Sequence, residues 1–453
     1  DRSPSRGLGD VYKRQITNQG FMKTLNSLAL SVMLLFGGSM LQAQKLSSVE
    51  KKIVEKVKTY DNESIAFLEK VVNINSGTMH LAGVRAVGRE FDAAFSAIDF
   101  TTQWIEMPTD MNRAGHLFAS IKGKKGKKLL LIGHLDTVFE VNSPFQTFER
   151  KDSIAFAPGG NDMKGGDVVV LYALKVLHEL NLLNDRTITV AFTGDEESTG
   201  KPLTISRKDL IEAAKESDIA LGFETATGFN NATIARRGAS GWKVETAGKR
   251  AHSSGVFSER TGAGAIFEMS RILHQFYEEV RGEQYLTFNP GNLLGGTFVG
   301  YDKMKSSGTA FGKSNVVAQT AIVHGGLRFI SEEQKENARE KMRAIVANNF
   351  PSTNATITFS NSYPAMGPTE ANMKLLGELS DVSEALGFGE VAAYDPGRRG
   401  AADISFVADY VDGLDGLGSM GTGAHTPQET INLATFNALI QRTAVFIYRL
   451  TRD

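Results

Sequence analysis

The sequence contains no cysteine in its 453 residues. This absence excludes disulfide frameworks, thiolate metal sites and cysteine nucleophiles. Neither sign of charge is in excess, because 50 Lys and Arg residues balance 51 Asp and Glu residues. No basic surplus therefore exists to drive binding to the phosphates of a nucleic acid. The hydrophobic fraction of 41% is sufficient for a folded core, and the length predicts two or three domains.

Long apolar runs are also missing, with one short exception near the start. The segment 25–40 is apolar and follows Met22 and Lys23, a pattern typical of a secretory signal peptide. A membrane anchor requires about 20 apolar residues, and this run is shorter. We expect residues 1–21 to be a non-native leader and residues 22–44 to be a signal peptide. The mature protein is then expected to be soluble, without a membrane partner, and secreted or periplasmic.

Strand and helix patterns alternate in the next part of the chain. Short apolar runs at 129–132, 187–193 and 219–223 predict buried strands, and 167–183 has the spacing of a helix. Strands that alternate with helices predict an α/β fold with a mostly parallel sheet.

The pattern changes between residues 238 and 364, where strand-like and helix-like segments predict a separate α+β unit. Helix and strand patterns then resume up to the end of the chain. We therefore predict one domain formed by residues 45–237 and 365–453, into which residues 238–364 are inserted.

Polar side chains follow each of the three predicted strands. The first runs into Gly133-His134-Leu135-Asp136-Thr137-Val138, the second into Asp195-Glu196-Glu197, and the third into Glu224. Ligands of open α/β sheets bind at the carboxyl ends of the strands. Because the three strands are expected to be neighbours, these side chains are expected to meet at one edge of the sheet.

Two further motifs contribute groups of the same kind. Gly160-Asn161-Asp162-Met163-Lys164-Gly165-Gly166 places an Asp in a Gly-rich turn, and Gly423-Ala424-His425-Thr426 contributes a second His. Imidazoles and carboxylates without a thiolate suit zinc, and also cobalt or manganese. A two-metal site needs bridging oxygen ligands, and one carboxylate must stay free to take a proton from water. Each motif alone is ambiguous, since a His at a strand end is often structural, but together they favour a metal site.

These motifs resemble those of the two-zinc exopeptidase family that includes carboxypeptidase G, succinyl-diaminopimelate desuccinylase, dipeptidases and aminoacylases. The resemblance covers about residues 48–453 and is closest to the carboxypeptidase G branch. It implies a mostly parallel-sheet zinc-peptidase catalytic domain, with residues 238–364 as a lid and dimerisation domain. It also implies that the protein forms a homodimer.

The resemblance implies a set of metal ligands, which are His134, Asp162, Glu197, Glu224 and His425. Asp162 would bridge two zinc ions. His134 and Glu224 would complete the site of one ion, and Glu197 and His425 would complete the site of the other.

Two further roles are carried over from the resemblance. Glu196 would be the general acid/base that activates a water molecule and then protonates the leaving amine. Asp136 would orient His134 from behind, as metal-bound histidines usually require. Family members often have a cis peptide after the bridging Asp, which here would be the bond between Asp162 and Met163.

The inserted segment carries residues that match the family's substrate-binding groups. His252, in Lys249-Arg250-Ala251-His252-Ser253-Ser254, matches a His that reaches the active site of a partner subunit; alternatively it is a surface residue. There it could stabilise an oxyanion. Asn315 and Arg328 match residues near the bound substrate, and the guanidinium of Arg328 is a candidate to pair with a substrate carboxylate.

Departures from the family leave the released residue open. Glutamate-releasing members have an Arg before a Pro at the end of the lid, whereas this chain has Tyr363 before Pro364. Arg399 either replaces that charge or is a solvated loop residue, and Arg236 and Arg237 are similarly ambiguous.

The predicted function is that of a secreted, metal-dependent, carboxypeptidase-like exopeptidase. It would hydrolyse a peptide or N-acyl amide bond next to a free carboxylate, so its partners are peptides or N-acyl amino acids and not nucleic acids. A dipeptidase or an N-acyl-amino-acid deacylase is the nearest alternative. A non-catalytic binding protein on the same scaffold is an alternative of a different class, and it would require a missing ligand or base; none is missing.

Overall fold

The computed structural model describes residues 45–303 and 305–452. The predicted leader and signal peptide lie outside the described residues. The α-helices are α1 (Ser48–Lys58), α2 (Asp61–Val72), α3 (Leu81–Ser96), α4 (Gly165–Glu179), α5 (Leu203–Ser206), α6 (Lys208–Lys215), α7 (Ala265–Gln275), α8 (Glu332–Ala347), α9 (Glu370–Ala385) and α10 (Leu433–Thr451). Within this part of the chain, no helix is both long enough and apolar enough to cross a bilayer.

The strands are numbered in chain order. They are β1 (Thr101–Ile105), β2 (His116–Ile121), β3 (Lys125–His134), β4 (Glu149–Lys151), β5 (Ile154–Phe156), β6 (Arg186–Thr193), β7 (Ile219–Gly222), β8 (Asn231–Ala232), β9 (Gly238–Gly248), β10 (Thr287–Gly296), β11 (Phe298–Asp302), β12 (Ser307–Phe311), β13 (Thr320–Phe329), β14 (Thr353–Asn361), β15 (Ala392–Ala393), β16 (Gly413–Leu414), β17 (Gly421–Thr422) and β18 (Thr430–Asn432).

A six-stranded mixed sheet has the order β1-β2-β6-β3-β7-β16. Strands β6, β3, β7 and β16 run parallel, and β1 and β2 are antiparallel additions at one edge. Both faces are covered: Leu129 and Leu131 join the core that contains α4 and α10, while Leu130 and Ile132 join the core that contains α6. Burial on both faces explains the uninterrupted apolar run of β3, and the predicted mostly parallel α/β sheet is confirmed.

A second, antiparallel sheet has the order β10-β13-β9-β14. Helices α7 and α8 cover one face of this sheet. Met342 of α8 lies in the same core as Val244 of β9 and Val323 of β13. The chain enters and leaves this sheet at adjacent points, because Arg236 and Met366 exchange main-chain hydrogen bonds of 2.8 and 3.0 Å. The two connections are therefore held together beside the end of the first sheet.

Candidate metal centre

The carboxyl ends of β3, β7 and β6 bring three predicted site residues together. His134 is the last residue of β3, Glu224 follows β7 by two positions, and Glu196 lies in the turn after β6. One ligand atom from each residue lies within 4.8 Å of the others. The parallel pairing of β3 with both neighbouring strands produces this arrangement, as the order of motifs predicts.

Asp162 lies between the two predicted histidines. Its Oδ1 is 3.5 Å from Nε2 of His134, and its Oδ2 is 3.1 Å from Nε2 of His425. The peptide bond between Asp162 and Met163 is cis, as predicted. A carboxylate with one oxygen directed to each imidazole is in a position to bridge two cations.

A second carboxylate accompanies each histidine. Oε1 of Glu224 is 3.7 Å from Nε2 of His134, and Oε2 of Glu197 is 3.1 Å from Nε2 of His425. The five predicted ligands therefore form two groups that share Asp162. The side chain of His134 is 2% exposed and that of His425 is 56% exposed, so one group is buried and the other is open to solvent on one side.

Two buried atoms of this cluster lack hydrogen-bond partners within the described residues. They are Nε2 of His134 and Oε1 of Glu197. A buried polar atom without a partner is costly, and a bound cation removes that cost. The nitrogen and oxygen donor set fits divalent ions such as zinc, so the residues present fit a two-metal site.

The ionisation of the cluster reflects its burial and its crowded carboxylates. Burial raises the pKa of Glu224 to about 7, and the nearby Asp162 adds to this shift. Hydrogen bonds to Asp162 and Glu197 raise the pKa of His425 to about 11. Without a cation, His425 is therefore an imidazolium between two carboxylates. Cation binding must release this proton, because a metal ligand is the neutral imidazole.

Asp136 organises the cluster from behind and is fully buried. Its carboxylate accepts hydrogen bonds from the main-chain N–H groups of Glu196 and Glu197, at 3.0 and 3.1 Å, and from the Thr78 hydroxyl at 2.6 Å. Nδ1 of His134 lies 3.0 Å from the main-chain oxygen of Asp136 and 3.5 Å from its Oδ1. Asp136 therefore fixes both the orientation of His134 and the turn that carries the glutamates.

Glu429 supports the Gly-rich turn and was not identified from the sequence. Its carboxylate accepts main-chain hydrogen bonds from Gly159, Asn161 and Asp162, at 3.1, 2.8 and 3.0 Å. Gly159 has a φ of +66°, a left-handed conformation that favours glycine. Glu429 lies three residues beyond the His425 motif, and nothing in its local sequence distinguishes it from a surface acid.

A buried ion pair lies behind Glu224. Nε of Arg236 donates to Oδ2 of Asp415 at 2.5 Å, and Nη2 of Arg236 lies 4.0 Å from Oε2 of Glu224. The sequence left the role of Arg236 ambiguous, and the structure places its guanidinium beside Glu224, a predicted ligand. Arg399 is tied to the same region, since it donates to the Thr233 hydroxyl at 3.1 Å and to the Thr225 carbonyl at 2.5 Å.

The residues predicted on the inserted segment lie on exposed loops and strands. His252 and Asn315 are both exposed, and their loops are joined because Ser253 N–H donates to the Asn315 carbonyl at 2.9 Å. Arg328 is also exposed. In residues 45–303 and 305–452, no hydrogen bond or ion pair joins His252, Asn315 or Arg328 to the five predicted ligands.

A sequence model of the peptidase family M20/M25/M40 matches residues 130–449. Carboxypeptidase G2 of Pseudomonas sp. (strain RS-16) is 28% identical over 375 residues, which cover 80% of this chain and 83% of that protein. A succinyl-diaminopimelate desuccinylase of Gluconacetobacter diazotrophicus is 22% identical, over 79% of this chain and 90% of that protein.

Solved structures share the fold. Aminopeptidase PepT from Bacillus cereus superposes with a TM-score of 0.67 at 16% identity, over 86% of this chain and 99% of that chain. The Bacillus subtilis YXEP protein, described as a dinuclear metal binding peptidase, superposes with a TM-score of 0.60 at 13% identity, over 87% of this chain and 99% of that chain.

Proposed function

Because the chain belongs to peptidase family M20/M25/M40, a family of dinuclear metallopeptidases, we propose that it is a carboxypeptidase-like exopeptidase. It would hydrolyse a peptide or N-acyl amide bond next to a free carboxylate. The observation that carries this proposal is the position of Asp162 between His134 and His425, with Glu196 beside them. Glu196 is not needed as a ligand in that arrangement and is free for proton transfer.

The proposed metals are two zinc ions, for which cobalt or manganese could substitute. His134, Asp162 and Glu224 would hold one ion, and Asp162, Glu197 and His425 would hold the other. When bound, such ions would lower the pKa of a water molecule to about 7, so that it can act as the nucleophile near neutral pH. They would also polarise the carbonyl of the substrate.

Glu196 is proposed to move the proton. Burial raises its pKa well above the usual value, and the Glu224 carboxylate adds to this rise, while His134 opposes it. A carboxyl group with a raised pKa can take a proton from water and return it to the leaving amine. The Asp136 carboxylate holds the main-chain N–H of Glu196 at 3.0 Å, so the side chain is presented from a fixed turn.

The substrate carboxylate is proposed to pair with Arg328. This guanidinium has no hydrogen-bond or ion-pair partner among the described residues, and Arg237 lies close enough to lower its pKa. Two adjacent cations without a carboxylate form a favourable site for an anion. Asn315, Arg399 and His252 are proposed to complete the substrate site.

The assembly and location of the protein are also proposals. We propose a homodimer in which residues 238–364 form both the lid and the subunit interface, and residues 45–237 and 365–453 form the catalytic domain. His252 would then act in the active site of the partner subunit. Export to the periplasm or the medium, directed by residues 22–44, is proposed from the signal-peptide pattern.

The test is hydrolysis of a library of dipeptides and N-acyl amino acids by the zinc-loaded protein. Each substrate is paired with a version whose terminal carboxylate is amidated. Cleavage of the free acids with little cleavage of the amidated versions supports the proposal. Cleavage confined to dipeptides or to N-acyl amino acids would instead identify a dipeptidase or a deacylase, and cleavage of neither would contradict the proposal.

A further inference from the structure

The main chain of Glu196 is held from two opposite sides. Its N–H donates to Oδ1 of Asp136 at 3.0 Å, and its carbonyl oxygen accepts a hydrogen bond from the hydroxyl of Tyr363 at 2.7 Å. The hydroxyls of Tyr363 and Thr199 are 2.5 Å apart. Since the Tyr363 hydroxyl donates to Glu196, the Thr199 hydroxyl, which is also 3.4 Å from the Glu196 carbonyl oxygen, donates to Tyr363 at the shorter distance. Both ends of the turn from Glu196 to Thr199 are therefore tied to Tyr363.

Tyr363 lies on the connection that leads out of the antiparallel sheet. It follows the end of β14 by two residues, and its carbonyl accepts a hydrogen bond from the N–H of Ala239, at the start of β9, at 2.8 Å. Its main chain is thus fixed to the antiparallel sheet, while its hydroxyl reaches the turn that follows β6. Tyr363 therefore links the antiparallel sheet to the main chain of Glu196.

Neighbouring side chains fix the ring of Tyr363. It packs on Phe406 with ring centroids 4.8 Å apart. The guanidinium of Arg207 lies over the ring of Phe406, 5.4 Å from its centroid, and is held in place by ion pairs with Asp195 and Asp403. A ring supported in this way has little freedom, so its hydroxyl can fix the Glu196 carbonyl without a large loss of side-chain entropy.

We propose that Tyr363 is a positioning residue for the general base Glu196, a role that rests on the proposed function. The peptide between Glu196 and Glu197 is held on both sides, because Tyr363 donates to its carbonyl and its N–H, that of Glu197, donates to Oδ2 of Asp136 at 3.1 Å. Asp136 also holds the preceding peptide through the N–H of Glu196, and these bonds keep the Glu196 carboxylate beside His134 and Glu224. The position of the antiparallel sheet is thereby coupled to the position of the base. Loss of the hydroxyl leaves the Glu196 carbonyl without this hydrogen bond. Small misplacements of a catalytic group lower the reaction rate strongly.

The test compares Tyr363→Phe with a matched control, Tyr172→Phe. Tyr172 of α4 is buried, whereas Tyr363 is half-buried, and the Tyr172 hydroxyl donates to the carbonyl of Glu63 on α2 at 3.1 Å. Each variant keeps its ring and loses one hydroxyl. We would measure kcat, KM, zinc content, the melting temperature and hydrogen–deuterium exchange of the amides between Glu196 and Thr199.

Tyr363→Phe is expected to lower kcat by about tenfold or more. KM should stay within about twofold and zinc content should be unchanged, while the amides of the turn exchange faster. Tyr172→Phe is expected to keep the parent kcat and the parent exchange in this turn.

Parent-like kcat and exchange in Tyr363→Phe would overturn the proposal, and so would a loss of kcat that follows a loss of zinc. The exchange measurement needs no turnover. If the parent cleaves no substrate, the proposed function fails. The comparison of amide exchange in the parent and in Tyr363→Phe still tests whether Tyr363 fixes the turn.

Discussion

The carboxylate of Glu429 accepts a hydrogen bond from the main-chain N–H of Asp162 at 3.0 Å, although the two residues are 267 positions apart. The same carboxylate holds two more N–H groups of the Gly-rich turn. The proposed bridging ligand is therefore placed by a side chain from the far end of the chain, which itself takes no part in the metal site.

Replacement of Glu429 by Gln should weaken metal binding. An amide keeps one acceptor oxygen where the carboxylate offers two, so at least one N–H of the turn loses its partner and the position of Asp162 becomes less fixed. Loss of an outer support of this kind typically costs about 10–100-fold in metal affinity. Competition with a zinc chelator measures this change. Glu378→Gln, on the exposed side of α9, is the control and should bind zinc as the parent does.

Glu196 and Glu197 are adjacent but should respond differently to replacement by Gln. Glu196→Gln should lower kcat by about 10²–10⁴-fold, since the general base is lost, and should keep the parent zinc content. Glu197→Gln should lose zinc from the site that contains His425. Steady-state kinetics combined with elemental analysis separates the two effects. Equal zinc contents and equal rates in the two variants would show that the assigned division of roles is wrong.

Arg328→Gln should raise KM for substrates with a free terminal carboxylate. The guanidinium would pair with that carboxylate, whereas the amide of Gln is neutral. Cleavage of the amidated versions, which lack the anion, should be unaffected by the substitution. A rise in KM of the same size for both substrate series would indicate a general change in the lid and would contradict a specific carboxylate contact.

Glu50 should stabilise the protein at neutral pH and not at acidic pH. Its side chain is 2% exposed and is 2.7 Å from Nε of Arg449. Burial alone would raise its pKa, but hydrogen bonds from Arg449 and Ser47 outweigh burial and lower it below 4.5. The stabilisation is therefore present above pH 4.5 and is lost as the pH falls through the lower folded-state value.

Glu50→Gln tests this dependence. At pH 7 the variant should lose about 1.5–3 kcal/mol in free energy of unfolding, the range for hydrogen bonds to charged groups. The difference between variant and parent should shrink as the pH is lowered below 4.5. Urea unfolding at pH 7 and over an acidic pH series measures it. A difference that does not change with pH would mean that the ion pair with Arg449 is not its source.

The sequence predicts the elements whose residues are buried on both faces. The run at 129–132 is recognisable because every side chain is apolar, and the run at 187–193 because its residues are mostly β-branched or apolar. The sequence did not reveal β1, β2, β11 and β12. Every residue of β12 (Ser307–Phe311) is exposed, so its side chains show no alternation between apolar and polar. The apolar pattern of 316–329 is that of one long strand, but β13 begins at Thr320, and Val316 forms only an isolated bridge with His252.

The meeting of His134, Glu196, Glu197 and Glu224 could be predicted from the sequence because the carboxyl ends of parallel strands lie at one edge of a sheet. The places of Asp162 and His425 came from the family resemblance. The supporting residues could not be predicted. Glu429 and Tyr363 act through hydrogen bonds to main-chain groups, and every residue type except proline offers the same main-chain N–H and C=O groups. Only the tertiary structure determines which of these groups a distant side chain reaches.

Anomalous diffraction from crystals of the zinc-loaded protein tests the central claim most directly. Two peaks about 3.5–4 Å apart are expected, one on each side of the Asp162 carboxylate. One peak should be bound by His134 and Glu224, and the other by Glu197 and His425. A single peak that Asp162 does not contact, or a map with no peak among these five side chains, would contradict the account.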